Sequence, residues 1–125
     1  MIKLTKKQSL FLHEDLIKEF GGLNGVRDEN LLESAISAPF QGFDKKDFYP
    51  SVPEKAARLG YGIIKNHPFV DGNKRVGTHS MIVFLKLNNF NLEYDDAELI
   101  DIISRVADSS ASYEELLGWL KGHLK

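Results

Sequence analysis

The segment that decides the architecture reads His67-Pro68-Phe69-Val70-Asp71-Gly72-Asn73-Lys74-Arg75. Apolar residues recur at helical spacing on both sides of it, so we place it in a loop that runs into the N-terminus of a helix. The first turn of a helix offers backbone N–H groups without partners and the positive end of the helix dipole. Gly72 allows the backbone to approach an anion closely or to adopt a positive φ. This layout predicts a phosphate site at the start of the helix.

Three kinds of side chain in the segment fit a bound polyanion. Lys74 and Arg75 place positive charge in the first helical turn, where it opposes the helix dipole unless an anion is present. Asp71 offers a hard oxygen ligand of the kind that holds Mg²⁺ beside phosphate groups. Histidine is the usual general base near neutral pH, so His67 is the candidate general base for a hydroxyl nucleophile. The segment therefore predicts a phosphate-transfer site.

Each of these residues also has an ordinary structural explanation. Residues 71–73 are compatible with turn and N-cap chemistry, Phe69 with a core plug, and His67 with a hydrogen-bonded loop residue. The two basic residues are equally compatible with a solvated surface. The hypothesis depends on the joint pattern and not on any single residue.

Helical spacing over most of the chain predicts a mainly α fold of about six helices with little sheet. A capping pair, Thr5 with Gln8, starts the first helix, which ends at Phe20 before Gly21-Gly22 and has Leu12, Leu16 and Phe20 as its expected buried stripe. The other helices are expected to start at Asp28, Ser51, Asn73, Asp95 or Asp96, and Ser112. The fifth helix is expected to bury Leu99, Ile100, Ile103, Val106 and Ala107.

The segment from Pro39 to Pro50 contains four aromatic residues and several turn formers without a helical period. It predicts a loop or a small β-hairpin. Such a segment could be a flap that docks a target, or a surface loop folded on the core.

Composition excludes several classes of function. The 125 residues, 42% hydrophobic and 27% charged, predict one soluble globular domain over residues 1–125. A net charge of −2 gives no overall basic field for nucleic acid, and the lack of cysteine excludes disulfides, thiolate zinc sites and cysteine nucleophiles. We find no continuous apolar segment, so we expect neither a signal peptide nor a membrane span, and a cytoplasmic location.

The nine-residue segment resembles the signature of the Fic/Doc family. The Fic branch reads His-Pro-Phe-x-(Asp/Glu)-Gly-Asn-Gly-Arg, and the Doc (death-on-curing) branch has Asn-Lys-Arg in place of Asn-Gly-Arg. This chain has the Doc form at residues 73–75, while Pro68 and Gly72 are Fic-like, and Thr78 stands where Fic tends to carry a second arginine. Residues 25–35, Tyr49-Pro50 and residues 54–57 are also similar to Doc-type toxins. The resemblance covers essentially the whole domain.

The resemblance implies a role for each residue of the segment. His67 matches the catalytic histidine that takes the proton of a target hydroxyl, Asp71 the acid that binds Mg²⁺, and Phe69 the residue buried to anchor the loop. Four residues match the positions that hold the phosphates of ATP: Gly72, Asn73, Lys74 and Arg75. ATP and Mg²⁺ are thus the expected cofactors.

The resemblance also implies an activity. Fic proteins present the α-phosphate and transfer AMP, whereas Doc binds the nucleotide in the reverse direction and phosphorylates a threonine of translation elongation factor Tu. Lys74 fills the space that glycine leaves in Fic, and Thr78 cannot form a bidentate clamp on the γ-phosphate. These residues favour a Doc-type protein kinase that blocks translation. The alternatives are AMP transfer to a protein hydroxyl and a catalytically silent antitoxin-binding module.

Doc-type toxins are silenced by a small antitoxin, and the pair represses its own operon. The resemblance therefore implies a cognate antitoxin as partner, with operator DNA contacted only through it. A groove beside the N-terminal helix is the expected binding surface, in a helix-in-groove mode.

Histidines and one lysine outside the segment have less defined expectations. His79 lies one turn after Arg75 and could face the phosphates, although a core or boundary position is the commoner role for such a residue. Lys65 could contact a nucleotide, but the simpler expectation is a solvated residue at a helix end. His13 and His123 lie outside any spacing that would predict a metal site.

Overall fold

The computed structural model describes residues Met1–Lys125 and contains six α-helices and one small hairpin. The elements in chain order are α1 (Lys6–Phe20), α2 (Glu29–Ser37), β1 (Gly42–Phe43), β2 (Lys46–Asp47), α3 (Val52–Asn66), α4 (Asn73–Leu87), α5 (Asp96–Ala107) and α6 (Tyr113–His123). A single 3₁₀ turn, Ala38–Phe40, follows α2. The prediction of a mainly α fold with six helices is confirmed.

The predicted caps start the helices. Thr5, Ser51 and Ser112 each form a complete capping box at the starts of α1, α3 and α6, in which the cap hydroxyl accepts from the backbone of the third helical residue. Asp28 caps α2 and Asp95 caps α5 through their carboxylates. Because caps act within one turn, the starts of these five helices were predictable from local sequence.

The centre of the fold is the pair α3 and α4, which the loop 67–72 connects. The two helices approach closely at Gly60 and Gly77, where a Cβ on either residue would lie 3.2–3.3 Å from the other's carbonyl oxygen. Around this contact the side chains are fully buried: Ala56, Ile63, Ile64, Val76, Met81, Phe84 and Leu85. α1, α2, α5 and α6 surround this pair, so the loop between α3 and α4 is held on a rigid base.

The aromatic segment forms the predicted hairpin. β1 and β2 are antiparallel, with Phe43 opposite Lys46, and the turn residues Asp44 and Lys45 both have positive φ, as a tight hairpin turn requires. Lys55 of α3, only 3% exposed, anchors the hairpin by donating to the Pro39 carbonyl at 3.1 Å and pairing with the Asp47 carboxylate at 3.2 Å. The hairpin is therefore fixed at its base to the N-terminal half of α3.

Two residues expected in the core are exposed. Phe20, at the end of α1, is 52% exposed, and Ile100 of α5 is 65% exposed. Each lies on the apolar stripe of its helix, but no element of the fold covers that part of the stripe. Ile102, which the expected stripe omitted, is buried instead. None of the six helices combines the length and the apolar character needed to span a bilayer.

Candidate functional site

The segment 67–75 forms a loop with a left-handed residue near each end. His67 ends α3 with φ 49° and ψ 55°, and Gly72 precedes α4 with φ 77° and ψ 19°. A left-handed conformation is easy for glycine and costly for other residues. Gly72 adopts the positive φ that was one of its two expected roles, whereas the positive φ of His67 has to be held by the contacts around it.

A segment near the N-terminus holds the outer side of this loop. The Pro68 carbonyl accepts from the backbone N–H groups of Arg27 at 2.7 Å and of Asp28 at 3.1 Å, and the Val70 N–H donates to the Gly25 carbonyl at 3.0 Å. These bonds pair residues 25–28 with residues 68–70 like two short strands. They fix the loop to the start of α2.

The side chain of Arg27 caps the end of α3. Its Nε donates to the His67 carbonyl at 2.7 Å and its Nη2 to the Asn66 carbonyl at 2.9 Å. These carbonyls lie at the negative end of α3 and have no partner within the helix. Arg27 thus holds the backbone of His67 in place while leaving its imidazole exposed to solvent.

Asn73 ties the loop together from inside. Its Oδ1 accepts from the Phe69 N–H at 3.0 Å, and its Nδ2 donates to the Phe69 carbonyl at 3.0 Å. The same Nδ2 lies 3.5 Å from Nδ1 of His67, at the outer limit of a hydrogen bond. The amide of this buried side chain is therefore committed to the loop, which leaves the backbone N–H as the group that Asn73 offers a phosphate.

Asp71 lies at the tip of the loop with its carboxylate held by two backbone groups. Oδ2 accepts from the Leu23 N–H at 3.1 Å, and Oδ1 accepts from the Gly72 N–H at 2.9 Å. Each oxygen keeps a further lone pair. The carboxylate is thus oriented beside the start of α4 and is still able to bind a cation.

Phe69 is fully buried under the loop, as the resemblance implied. Its ring stacks on the imidazole of His13 with centroids 3.9 Å apart and planes 8° apart. Nε2 of His13 donates to the Asp71 carbonyl at 2.8 Å. His13 is therefore in contact with the site, although its place in the sequence gave no sign of it.

The first turn of α4 presents the features expected of an anion site. No side chain caps it. Lys74 and Arg75 are exposed in this turn, and the Arg75 guanidinium lies over the ring of Phe20, 4.3 Å from its centroid. Backbone N–H groups, helix dipole and two cationic side chains thus meet at one end of α4.

All six site residues expected from the sequence line one open cavity of about 600 Å³: His67, Asp71, Gly72, Asn73, Lys74 and Arg75. Its opposite wall is apolar and comes from α5, through Leu99, Ile100 and Ile103. No hairpin residue lines it. The cavity thus combines the features expected of an anion site, at the start of α4, with apolar residues of α5 and the imidazole of His67.

His79 and Thr78 complete this cavity one turn along α4. His79 is exposed rather than in the core, and loss of surrounding water together with the nearby Arg75 charge lowers its pKa. The Thr78 hydroxyl donates to the Lys74 carbonyl at 2.7 Å and is therefore turned back onto the helix. Lys65 instead donates to the Ser109 hydroxyl, and His123 contacts Glu98, so that neither belongs to the cavity.

Three contributors were not identified from the sequence: His13, Arg27 as a cap, and the wall from α5. A signal existed for His13, because Ser9, His13 and Leu16 share the buried face of α1. A buried imidazole needs a polar partner. The partner itself lies 58 positions away in sequence, beyond the reach of any local pattern.

Comparisons with known proteins show which family the chain resembles. Residues 3–85 match the model of a family described as the Fic/DOC family. The chain is 33% identical over 105 residues to "Toxin Doc" of Mycolicibacterium smegmatis, with 82% of this chain and 81% of that protein covered. It is 26% identical over 121 residues to "Protein kinase doc" of Escherichia phage P1, with 97% and 94% covered. The matched residues include the whole loop between α3 and α4.

Proposed function

The chain belongs to the Fic/Doc family, and from this premise we propose that it is the toxin of a toxin–antitoxin pair that transfers the γ-phosphate of ATP to a Ser or Thr hydroxyl of a protein. One observation carries the proposal. A histidine, a carboxylate and an uncapped helix N-terminus with two basic side chains line the same cavity. Phosphoryl transfer asks for this set of groups: a base, charge neutralisation and a phosphate cradle.

The proposed reaction forms a bond from the target oxygen to the γ-phosphorus and breaks the bond from that phosphorus to the β,γ-bridging oxygen. ADP leaves, and the proton of the target hydroxyl passes to the imidazole of His67. The position of this ring is fixed by Arg27, which binds the His67 carbonyl, and by the 3.5 Å contact between Nδ2 of Asn73 and Nδ1 of His67. Because a positioned base contributes about 10²- to 10⁴-fold, His67 is expected to affect kcat more than ATP affinity.

The residues of the loop fit a nucleotide phosphate with Mg²⁺. The N–H groups of residues 73–75, with Lys74 and Arg75, would hold the phosphate oxygens at the start of α4. The oriented carboxylate of Asp71 would be the protein's ligand to Mg²⁺. When bound, Mg²⁺ neutralises phosphate charge.

The neighbourhood of Lys74 favours γ-phosphate transfer over AMP transfer. Lys74 adds a charged side chain where the Fic branch has glycine, and Thr78 turns its hydroxyl back to the helix where that branch tends to carry an arginine. A γ-phosphate without a bidentate clamp is better placed to be the transferred group. The name of the phage P1 relative supports the same assignment.

Elongation factor Tu is the proposed target, and the cytoplasm the proposed location, both on the resemblance to Doc. A cognate antitoxin is the proposed partner, supported by the name of the Mycolicibacterium smegmatis relative, a toxin. A second cavity of about 400 Å³ lies between α1 and α4 and is lined mainly by apolar residues, among them Leu4, Phe11, Leu12, Val83 and Leu87. We assign the antitoxin to this groove, with DNA contacted only through the antitoxin.

Parallel labelling tests the reaction. The protein and Mg²⁺ are incubated with a bacterial translation extract and ATP labelled at either the γ- or the α-phosphate. We expect protein labelling from the γ-position only, lost in His67→Ala and kept in the matched control His123→Ala, whose ring bonds Trp119 and Glu98 away from the cavity. Labelling from the α-position would identify an AMP transferase. Absence of both labels would contradict the proposed activity and favour a silent binding module.

A further inference from the structure

His13 is a buried polar group that the proposed reaction does not use. Its side chain comes from α1 and is 2% exposed. Leucines precede it at position 12 and follow it at 16, so an apolar residue would suit this face of the helix as well. Placing an imidazole in a core costs free energy unless it forms a hydrogen bond. The partner of that hydrogen bond therefore indicates what the residue does.

That partner is the carbonyl of Asp71, 2.8 Å from Nε2. A carbonyl only accepts, so Nε2 carries the hydrogen. The other end of the same peptide, the Gly72 N–H, donates to the Asp71 carboxylate at 2.9 Å. A peptide group is planar, and here it is held at both ends. Its orientation in turn sets the direction of the carboxylate and of the first turn of α4.

The face of the imidazole makes a second, independent contact. It stacks on Phe69 at 3.9 Å, and Phe69 carries the two backbone hydrogen bonds to Asn73. The ring thus supports the loop on both sides of Val70. One side chain from α1 contacts the anchor of the loop and the peptide that leads into the anion site.

We propose that His13 is a positioning residue for phosphoryl transfer: by holding the peptide between Asp71 and Gly72, it orients both the metal-binding carboxylate and the phosphate-binding helix N-terminus. This inference rests on the proposed function. A simple packing role would need only the ring stack on Phe69, whereas positioning needs the hydrogen on Nε2.

Two substitutions separate these roles. His13→Gln places an amide N–H near the position of Nε2 and removes the ring, and His13→Leu keeps apolar volume and removes the donor. Ser9→Ala is the matched control, because Ser9 is also fully buried on α1 but its hydroxyl has no hydrogen-bond partner. Thermal unfolding monitored by circular dichroism shows how far each variant retains the fold.

The first measurement is γ-phosphate transfer as a function of Mg²⁺ concentration. We expect His13→Leu to raise the Mg²⁺ concentration for half-maximal rate by about tenfold, as for groups that orient a metal ligand. His13→Gln is expected to stay within about threefold of wild type, and Ser9→Ala to be unchanged. Equal behaviour of the Gln and Leu variants in the Mg²⁺ titration would overturn the positioning role.

The second measurement, hydrogen exchange of single backbone amides, does not depend on activity. The Phe69 N–H donates to Asn73 and the Val76 N–H to the Gly72 carbonyl at 2.9 Å. We expect both amides to exchange faster in His13→Leu and to remain protected in His13→Gln. If the wild type transfers no phosphate but these two amides still exchange faster in His13→Leu, the proposed function fails, while the conclusion that His13 holds the loop is retained. Unchanged exchange of both amides in His13→Leu would refute the conclusion that His13 holds the loop.

Discussion

Arg75 shows how a single residue near the site is kept ready for an anion. It lies in the first turn of α4, where the helix dipole disfavours positive charge. The ring of Phe20 offers its negative face to the guanidinium at 4.3 Å, and Phe20 is exposed instead of buried. The exposure of a large apolar residue is thus explained by a cation–π contact with Arg75, the proposed phosphate ligand.

Replacing Phe20 tests this contact. An exposed cation–π interaction contributes about 0.5–1 kcal/mol, so Phe20→Leu is expected to raise the KM for ATP by about two- to fivefold with little change in kcat. Phe20→Tyr keeps an aromatic face and should behave like wild type. Steady-state kinetics with varied ATP measures both parameters. A tyrosine variant as impaired as the leucine variant would contradict the cation–π explanation.

In the proposed reaction, the choice between the α- and the γ-phosphate depends on Lys74. Lys74→Gly removes a side chain and a charge from the cavity. Adding Thr78→Arg supplies the second arginine that the Fic branch tends to carry. We expect the ratio of α- to γ-label transferred to rise in Lys74→Gly and to rise further in the double variant. The two labelled ATP samples measure it directly. A constant ratio in both variants would show that Lys74 does not set the orientation.

At the level of elements, α4 is unusual among the six helices because no side chain caps its start. α1, α2, α3, α5 and α6 are all capped by Ser, Thr or Asp side chains. Gly72 occupies the cap position of α4 in a left-handed conformation, and a Cβ there would lie 3.3 Å from Ile17. The fold therefore lacks a side-chain cap at the helix start whose first turn lines the cavity.

A pair of glycine substitutions tests this account of α4. Gly72→Ala forces a side chain into the left-handed region and is expected to lower the free energy of unfolding by about 1–2 kcal/mol. Gly118→Ala, inside α6 with open space around it, is expected to raise it by up to about 1 kcal/mol. Urea unfolding gives both values. We also expect Gly72→Ala, but not Gly118→Ala, to bind ATP more weakly. Equal free energies of unfolding in the two variants would contradict the argument from backbone strain at Gly72.

For the whole molecule, the packing of α6 against α3 depends on Tyr113. Its hydroxyl donates to the Glu54 carbonyl at 3.1 Å, and its ring packs against Tyr49 and Tyr61. Burial, aided by the negative charge of Glu54, raises the pKa of Tyr113 to about 12. Since the ordinary value is 10.0, the unfolded chain loses this proton before the folded protein does.

The stability that this difference contributes is complete below pH 10 and is lost as pH rises towards about 12. Tyr113→Phe is therefore expected to lower stability near pH 7 by about 1 kcal/mol, through the lost hydrogen bond, and to flatten the decline above pH 10. Tyr94→Phe, at an exposed position, is the matched control and should follow wild type. Thermal melts from pH 7 to 12 provide the comparison. An unchanged alkaline decline in Tyr113→Phe would rule out this assignment.

The start of each helix, the hairpin and the six residues gathered at the cavity were predictable because their causes are local. Caps such as Ser51 with Glu54 act within one turn, and the segment 67–75 carries its loop, its glycine and its charges in consecutive positions. The same holds for Gly72, whose left-handed backbone needs no distant partner. The sequence by itself determined the mainly helical fold and the location of the proposed anion site.

Only the tertiary structure decided what surrounds that site. Helical periodicity predicts the inner face of α1 but not what lies against it. The prediction that Phe20 is buried was therefore wrong, and the contact between His13 and Asp71 was not predicted. Arg27 meets His67 across 40 positions, and the stripe of α5 leaves Ile100 as an open wall of the cavity. These contacts arise when separate helices pack together, and the free energy that fixes them belongs to the assembled core and not to any one segment.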